Sequence, residues 1–229
     1  LISFVGIVVL FLKRDWLDKS VFILVSLAVG ALLGDVFIHI IPEIYSEFDR
    51  PVLISFLLLA GILLFFILEK ILHWHHHTLE HAEETPHPVG RMILLGDGVH
   101  NFIDGIIIAA SYFGFATTVA VLAHEIPQEI GNFGVLIHSG YSRAQALWYN
   151  FLSALTAVAG AIIVMIFGDL SADFTLWALP LTAGGFIYIA MSDLIPELHQ
   201  NKNLNQGVIQ VIVILIGIIS MATLLFVEA

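Results

Sequence analysis

Apolar residues along the chain gather in long runs separated by short polar connections, at about 1–12, 20–42, 51–73, 89–114, 115–139, 145–168, 174–198 and 206–227. Most runs are near or above the ~20 residues a helix needs to span a hydrocarbon layer, so membrane crossings account for the length of the chain better than soluble domains do. Run 1–12, at ~1.5 Å per residue, would cover only about 18 Å of a ~30 Å layer and reads as the tail of a longer helix. The pattern predicts an all-α integral membrane protein of eight transmembrane helices, the first truncated, in a single transmembrane domain over residues 1–229.

Composition agrees with that pattern. Hydrophobic residues fill 59% of the 229 positions and charged residues 12%, against roughly 45–50% and 25% in soluble domains. There is no cysteine, so a bound metal must use nitrogen and oxygen ligands, and neither a disulfide framework nor a thiol nucleophile is available. Eight Lys and Arg residues beside a net charge of −11 speak against a nucleic-acid partner. Lys13, Arg14, Lys19, Lys70, Arg91, Arg143 and Lys202 lie at alternate connections, with only Arg50 on the other side. Short cytoplasmic loops are enriched in Lys and Arg, which puts both termini outside and makes the number of crossings even. The chain starts without Met inside an apolar run and shows no cleavable signal peptide, so its beginning is expected to be cut.

The connection 73–90 is the one stretch of biased composition, with His73, His75, His76, His77, His81 and His87 among three glutamates. On the cytoplasmic side it reads as a solvated linker, or as a weak metal-collecting loop built from neutral imidazoles and carboxylates; the two are compatible.

The chemistry concentrates in two neighbouring runs. The fourth contains GDGVHNFIDG (96–105) and the fifth HEIPQEIGN (124–132). A charged side chain at the bilayer centre costs roughly +2.5 to +3.5 kcal/mol on insertion scales, so polar residues this dense require a reason. On a helix His100 and Asp104 lie one above the other with Asn101 beside them, and Asp97 joins the adjoining row. In the fifth run His124 and Gln128 form one row, Glu125 and Glu129 the next. Facing each other, the two stripes would gather carboxylates, imidazoles and carboxamides in one dehydrated space, where divalent cations supply the missing positive charge and their binding displaces protons. The plain alternative is that the buried His and Asp residues act as hydrogen-bonded glue between helices.

Pro127 should kink the fifth helix and release the Ala123 carbonyl. Gly98, Gly105, Gly131 and Gly134 should allow close helix packing. Asp35 and His39, at i and i+4 before Pro42, form a candidate ligand pair at an outer mouth or one satisfied polar pair. Asp193 and Glu197 form a candidate exit station or the polar end of a helix. His138 and His199 lie near helix ends and read as surface residues.

At HNFIDG (100–105), HEIPQEIG (124–131), GDVFIHIIP (34–42) and MSDLIPEL (191–198) the chain resembles the ZIP (Zrt/Irt-like) family of divalent metal transporters, with the elements in the same order. It looks like a bacterial-type member of the HExPHExGD-bearing branch. The resemblance covers nearly the whole chain. It implies an eight-helix ZIP-like fold, a homodimer in the cell (plasma or inner) membrane, and import of metal to the cytoplasm through a binuclear site between helices 4 and 5. It further implies His100, Asp104, His124 and Gln128 as ligands of a first metal, and Asn101, Asp104 and Glu125 of a second, with Asp104 as a bridge. Helices 1, 4, 5 and 6 would move against 2, 3, 7 and 8. The metal is substrate, zinc first with cadmium, iron and manganese as further candidates, and no organic cofactor is expected.

Two departures bear on the ion. The branch usually has His where this chain has Gln128, and Asp where it has Asn132, and fewer imidazoles weaken a preference for zinc. Two other functions fit buried metal ligands: a membrane-embedded metal-dependent hydrolase and a non-transporting metal sensor. The helical protease motif H-E-x-x-H needs His at its fifth position, where this chain has Gln128.

Overall fold

A computed structural model describes residues 14–77, 87–110, 115–167, 170–199 and 204–228. Among these every regular element is a helix. In chain order they are α1 (Arg14–Gly34), a π-helical stretch π1 (Asp35–Ile40), α2 (Ile41–Glu47), α3 (Pro51–His77), α4 (Pro88–Ala110) and α5 (Phe115–His138), followed by α6 (Arg143–Ala154), α7 (Thr156–Phe167), α8 (Leu170–Tyr188), a second π-helical stretch π2 (Ile189–Leu194), α9 (Ile195–His199) and α10 (Leu204–Glu228). The run 1–12 lies outside the described residues.

Five of the resulting helices are long and apolar enough to cross a membrane: Val21–Glu47, Pro51–Ile71, Arg143–Phe167, Leu176–His199 and Asn205–Thr223. The spans Val21–Glu47 and Leu176–His199 are 56% buried, whereas the other three are 17–22% buried. The first two therefore form the interior with α4 and α5, and α3, α6–α7 and α10 form the rim. The rim exposes Phe56, Leu59, Leu63, Val158, Ile162, Met165, Val211, Ile212 and Ile219. In water such continuous apolar surface is an aggregation hazard; against lipid tails it carries no penalty, which makes the chain a membrane protein.

Two helices bend the same way for the same reason. Pro42 and Pro196 have no N–H to donate and their rings crowd the carbonyl four residues back. The turn before each widens, so that Ile41 N–H donates to Val36 O and Ile195 N–H to Ala190 O, five residues back. Single π turns of this kind recur at functional sites because they re-aim side chains. Pro127, by contrast, sits inside α5 without ending it. The third run also extends four residues beyond its expected end at 73, so His73, His75, His76 and His77 belong to the last turn of α3, not to a loop.

Without a hydrophobic drive between helices in lipid, association depends on close contact, and glycine supplies it here. A Cβ on Gly105 would collide with the Ala157 carbonyl, and one on Gly160 with that of Phe102, locking α4 to α7. Gly61 and Gly184 do the same for α3 and α8, Gly30 and Gly217 for α1 and α10, and Gly131 and Gly134 for α5 and α1. Gly98 is different: its Cβ position meets only the Ser153 hydroxyl at 3.4 Å and the Thr156 methyl at 3.9 Å. Gly105→Ala should thus lower the thermal unfolding midpoint of the detergent-solubilised protein, at a cost of about 1–3 kcal/mol for forced overpacking. Gly207→Ala, with nothing within 4 Å of the new methyl, should leave it unchanged.

Candidate metal centre

The centre begins on α4. Its middle turns put Asp97, His100, Asn101 and Asp104 on one buried face. His100 Nε2 lies 3.7 Å from Asp104 Oδ2 one turn along, and 4.0 Å from Glu125 Oε1 of α5. One ligand atom each from His100, Asp104 and Glu125 lie within 4.8 Å of one another, and the three residues are 2%, 4% and 6% exposed. A divalent ion bonded at about 2.0–2.2 Å separates its donors by roughly 3–4 Å. The triad is spaced for a shared ion. Phe186 of α8 packs against the His100 ring, centroids 5.3 Å apart.

Asp35 joins this centre. The π1 turn brings Asp35 Oδ2 within 3.7 Å of His100 Nε2, where it accepts a 3.0 Å hydrogen bond from Gln128 Nε2. His39 Nδ1 is 3.7 Å from Asp35 Oδ1. The pair expected at an outer mouth is therefore continuous with the central group, because the widened turn rotates Asp35 inward. Gln128, expected among the ligands of the first metal, donates from its Nε2 to Asp35 and leaves its Oε1 buried without a hydrogen-bond partner. His124 stands on α5 one residue before Glu125, but its side chain lies outside the described residues.

The two polar stripes do not fill one space. Asn132 Nδ2 donates to Asp97 Oδ1 (2.6 Å), and Asn101 Nδ2 to the Asp97 carbonyl (3.1 Å). Asn150 Nδ2 donates to the Glu129 carbonyl (3.1 Å) and to its carboxylate. Glu129 thus points to α6, one turn away from the triad. Asn150, Ser153 and Thr156 are not part of the pattern singled out from the sequence. Their i, i+3, i+6 spacing inside an apolar run is the signal that marks them. Thr156 Oγ1 reaches the Gly98 carbonyl at 2.6 Å and Ser153 Oγ the Leu94 carbonyl at 3.4 Å.

At the end of the bundle where α5 meets α6, His87 N–H donates to Ser139 O at 2.8 Å, tying the start of α4 to the end of α5. His87 is exposed, and its Nδ1 accepts from Val89 N–H at 3.4 Å; His81 lies outside the described residues. Asp193 lies in π2 and Glu197 in α9. His138 is exposed, as expected of a surface residue, and its Nε2 lies 3.3 Å from Glu197 Oε1. Tyr188 donates to Glu69 of α3 at 2.5 Å, and Glu69 acts electrostatically on Asp193. His199 is exposed.

A helical bundle with an apolar rim and a buried imidazole–carboxylate triad at ion spacing defines a membrane protein organised around divalent-cation chemistry. The ZIP Zinc transporter family matches residues 1–91 and 87–225, and the chain belongs to that family. It is 32% identical to Zinc transporter ZIP13 of Pongo abelii over 218 residues, covering 86% of this chain and 65% of that protein. Zinc transporter foi of Drosophila melanogaster is 40% identical over 141 residues, 59% of this chain and 20% of that protein. Zinc transporter ZIP10 of Homo sapiens is 36% identical over 157 residues, 61% of this chain and 19% of that protein. The chain thus spans less than two thirds of these relatives' own length. The relatives are transporters and not enzymes.

Removing the amide that supports Asp35 tests the central arrangement. Gln128→Leu should leave the buried Asp35 carboxylate short of a donor and cost about 1–3 kcal/mol, read as a lower thermal midpoint in detergent. An unchanged midpoint would show that the bond contributes nothing.

Proposed function

We propose that this chain carries divalent transition-metal ions across a membrane into the cytoplasm, through the buried centre between α4 and α5. The observation that carries the reading is the His100–Asp104–Glu125 triad, whose donor atoms lie within 4.8 Å of one another in the interior of a lipid-facing bundle. Carboxylates gathered there favour a dication strongly, because burial and mutual repulsion penalise their ionised forms until a positive charge arrives.

In this reading a first ion takes His100, Asp104, His124 and the Gln128 carboxamide oxygen. A second takes Asn101, Asp104 and Glu125, with Asp104 shared. The Gln128 amide bond to Asp35 supports the oxygen assignment, since it turns the acceptor end of the side chain away from Asp35. Asp35 and His39 lead to the centre, Glu129 is a further metal ligand on α5, and Asp97, Asp193 and Glu197 continue the path. Zinc is the first substrate. Replacing an imidazole by Gln128 adds oxygen character that also accommodates manganese, iron and cadmium. The chain works as a single transmembrane domain of eight crossings in the cell membrane, as a homodimer with both termini outside and the His-rich connection 73–90 facing the cytoplasm. Relatives that bear the name zinc transporter support the substrate class.

Radiometal flux into proteoliposomes across Zn, Fe, Mn and Cd tests the proposal. His100→Ala and Glu125→Ala should each abolish uptake while leaving the helical signal and thermal transition in place; normal flux in either removes the centre from the path. Gln128→His should shift the ion ranking toward zinc over manganese, and an unchanged ranking refutes the role given to that residue.

A further inference from the structure

The polar residues on the Asp97 side of the triad form a second group with its own chemistry. Asp97, Glu129, Asn132 and Asn150 are each at most 2% exposed, and three helices supply them. Asn132 of α5 donates to Asp97 of α4 at 2.6 Å, and Asn150 of α6 donates to both the carbonyl and the carboxylate of Glu129. Ser153, one turn along α6 from Asn150, directs its hydroxyl to the Leu94 carbonyl at 3.4 Å and lies within reach of Asp97. Asp97 in turn is the acid that acts electrostatically on Glu129.

The amides do not complete this group. Glu129 Oε1 and Asn150 Oδ1 are buried and have no hydrogen-bond partner. The Asn150 amide oxygen accepts in any state and the Glu129 oxygen accepts when its carboxylate is ionised, so the two call for a donor or a cation, and leaving such acceptors unmet is costly. Asp97 precedes His100 by three residues, about 4.5 Å along the helix. Glu129 follows Glu125 by four residues on the antiparallel α5. Both steps lead toward the end of the bundle marked by the His87–Ser139 bond.

We propose that Asp97, Glu129, Asn132, Asn150 and Ser153 form a second divalent-cation subsite, made of oxygen donors only, one helical turn from the His100–Asp104–Glu125 triad. Two carboxylates, carboxamide oxygens and a hydroxyl, with neither nitrogen nor sulfur, suit hard dications such as Mn²⁺, Mg²⁺ and Ca²⁺ better than zinc. While the subsite is empty the Asn132 and Asn150 amides hold the two carboxylates in place. Its role as a station for an ion that has left the triad rests on the transport reading; its capacity to bind does not.

The test uses the full chain purified in detergent, with Mn²⁺ as probe and electron paramagnetic resonance to count bound ions and detect nitrogen coordination by spin-echo modulation. Asp104→Ala combined with Glu125→Ala removes the triad's carboxylates. That chain should keep a Mn²⁺ population without nitrogen modulation, and adding Glu129→Gln should weaken its binding at least roughly tenfold. The chain with native Asp104 and Glu125 gives the same readout if the double variant does not fold: its nitrogen-free Mn²⁺ population should disappear in Glu129→Gln alone. A folded double variant that binds no Mn²⁺, or a nitrogen-free population indifferent to Glu129→Gln, overturns the subsite. Flux measured on the same preparations separates the two ideas. Flux without oxygen-only binding removes the subsite alone, and oxygen-only binding without flux removes the transport reading and leaves the subsite standing.

Discussion

Burying carboxylates in the middle of an apolar bundle, where no basic side chain in the interior of α4 or α5 neutralises them, is the constraint around which this molecule is arranged. His100, Asp104, Glu125 and Asp35 converge at distances of 3.7–4.0 Å around the His100 imidazole. The three carboxylates repel one another there, while the packing of their helices holds them together around the imidazole. In the proposed reading a divalent ion relieves that repulsion, and the more strongly because the surroundings screen charge so little.

The packing that enforces the compromise is made of very small contacts. Glycines against carbonyls join α4 to α7, α3 to α8 and α1 to α10, and such backbone approach leaves helices little freedom to slide. Phe186 fills the space beside His100 from α8. The proline-induced π turn at Asp35–Ile40 then sets the direction of a side chain that a straight helix would aim elsewhere, Asp35 inward to the triad.

Neutral amides do the complementary work. Gln128 supports Asp35, Asn132 supports Asp97, and Asn150 supports Glu129. Each places a hydrogen-bond donor on a buried carboxylate without adding a formal charge that a cation would have to displace. The result is two tiers along α4 and α5, one containing an imidazole and one made of oxygen alone.

Much of this was legible in the order of residues. Long apolar runs require helices in lipid because each backbone hydrogen bond must be satisfied within its own segment, and the i, i+4 pairing of His100 with Asp104 follows from helical period alone. Local pattern also marked Glu125 as a partner from the next helix. What it left open were relations between helices distant in sequence. Asp35 and His100 are brought together by a π turn whose widening depends on Pro42 and on neighbours that accept the new direction. Glu129 turns to Asn150 because α6 lies beside α5 there, and Gln128 turns to Asp35 because α1 lies on its other side. The residues by themselves determined which side chains must be removed from lipid. Only tertiary packing decided which of them meet, since a helix fixes the angle between its own side chains but not the face its neighbour presents.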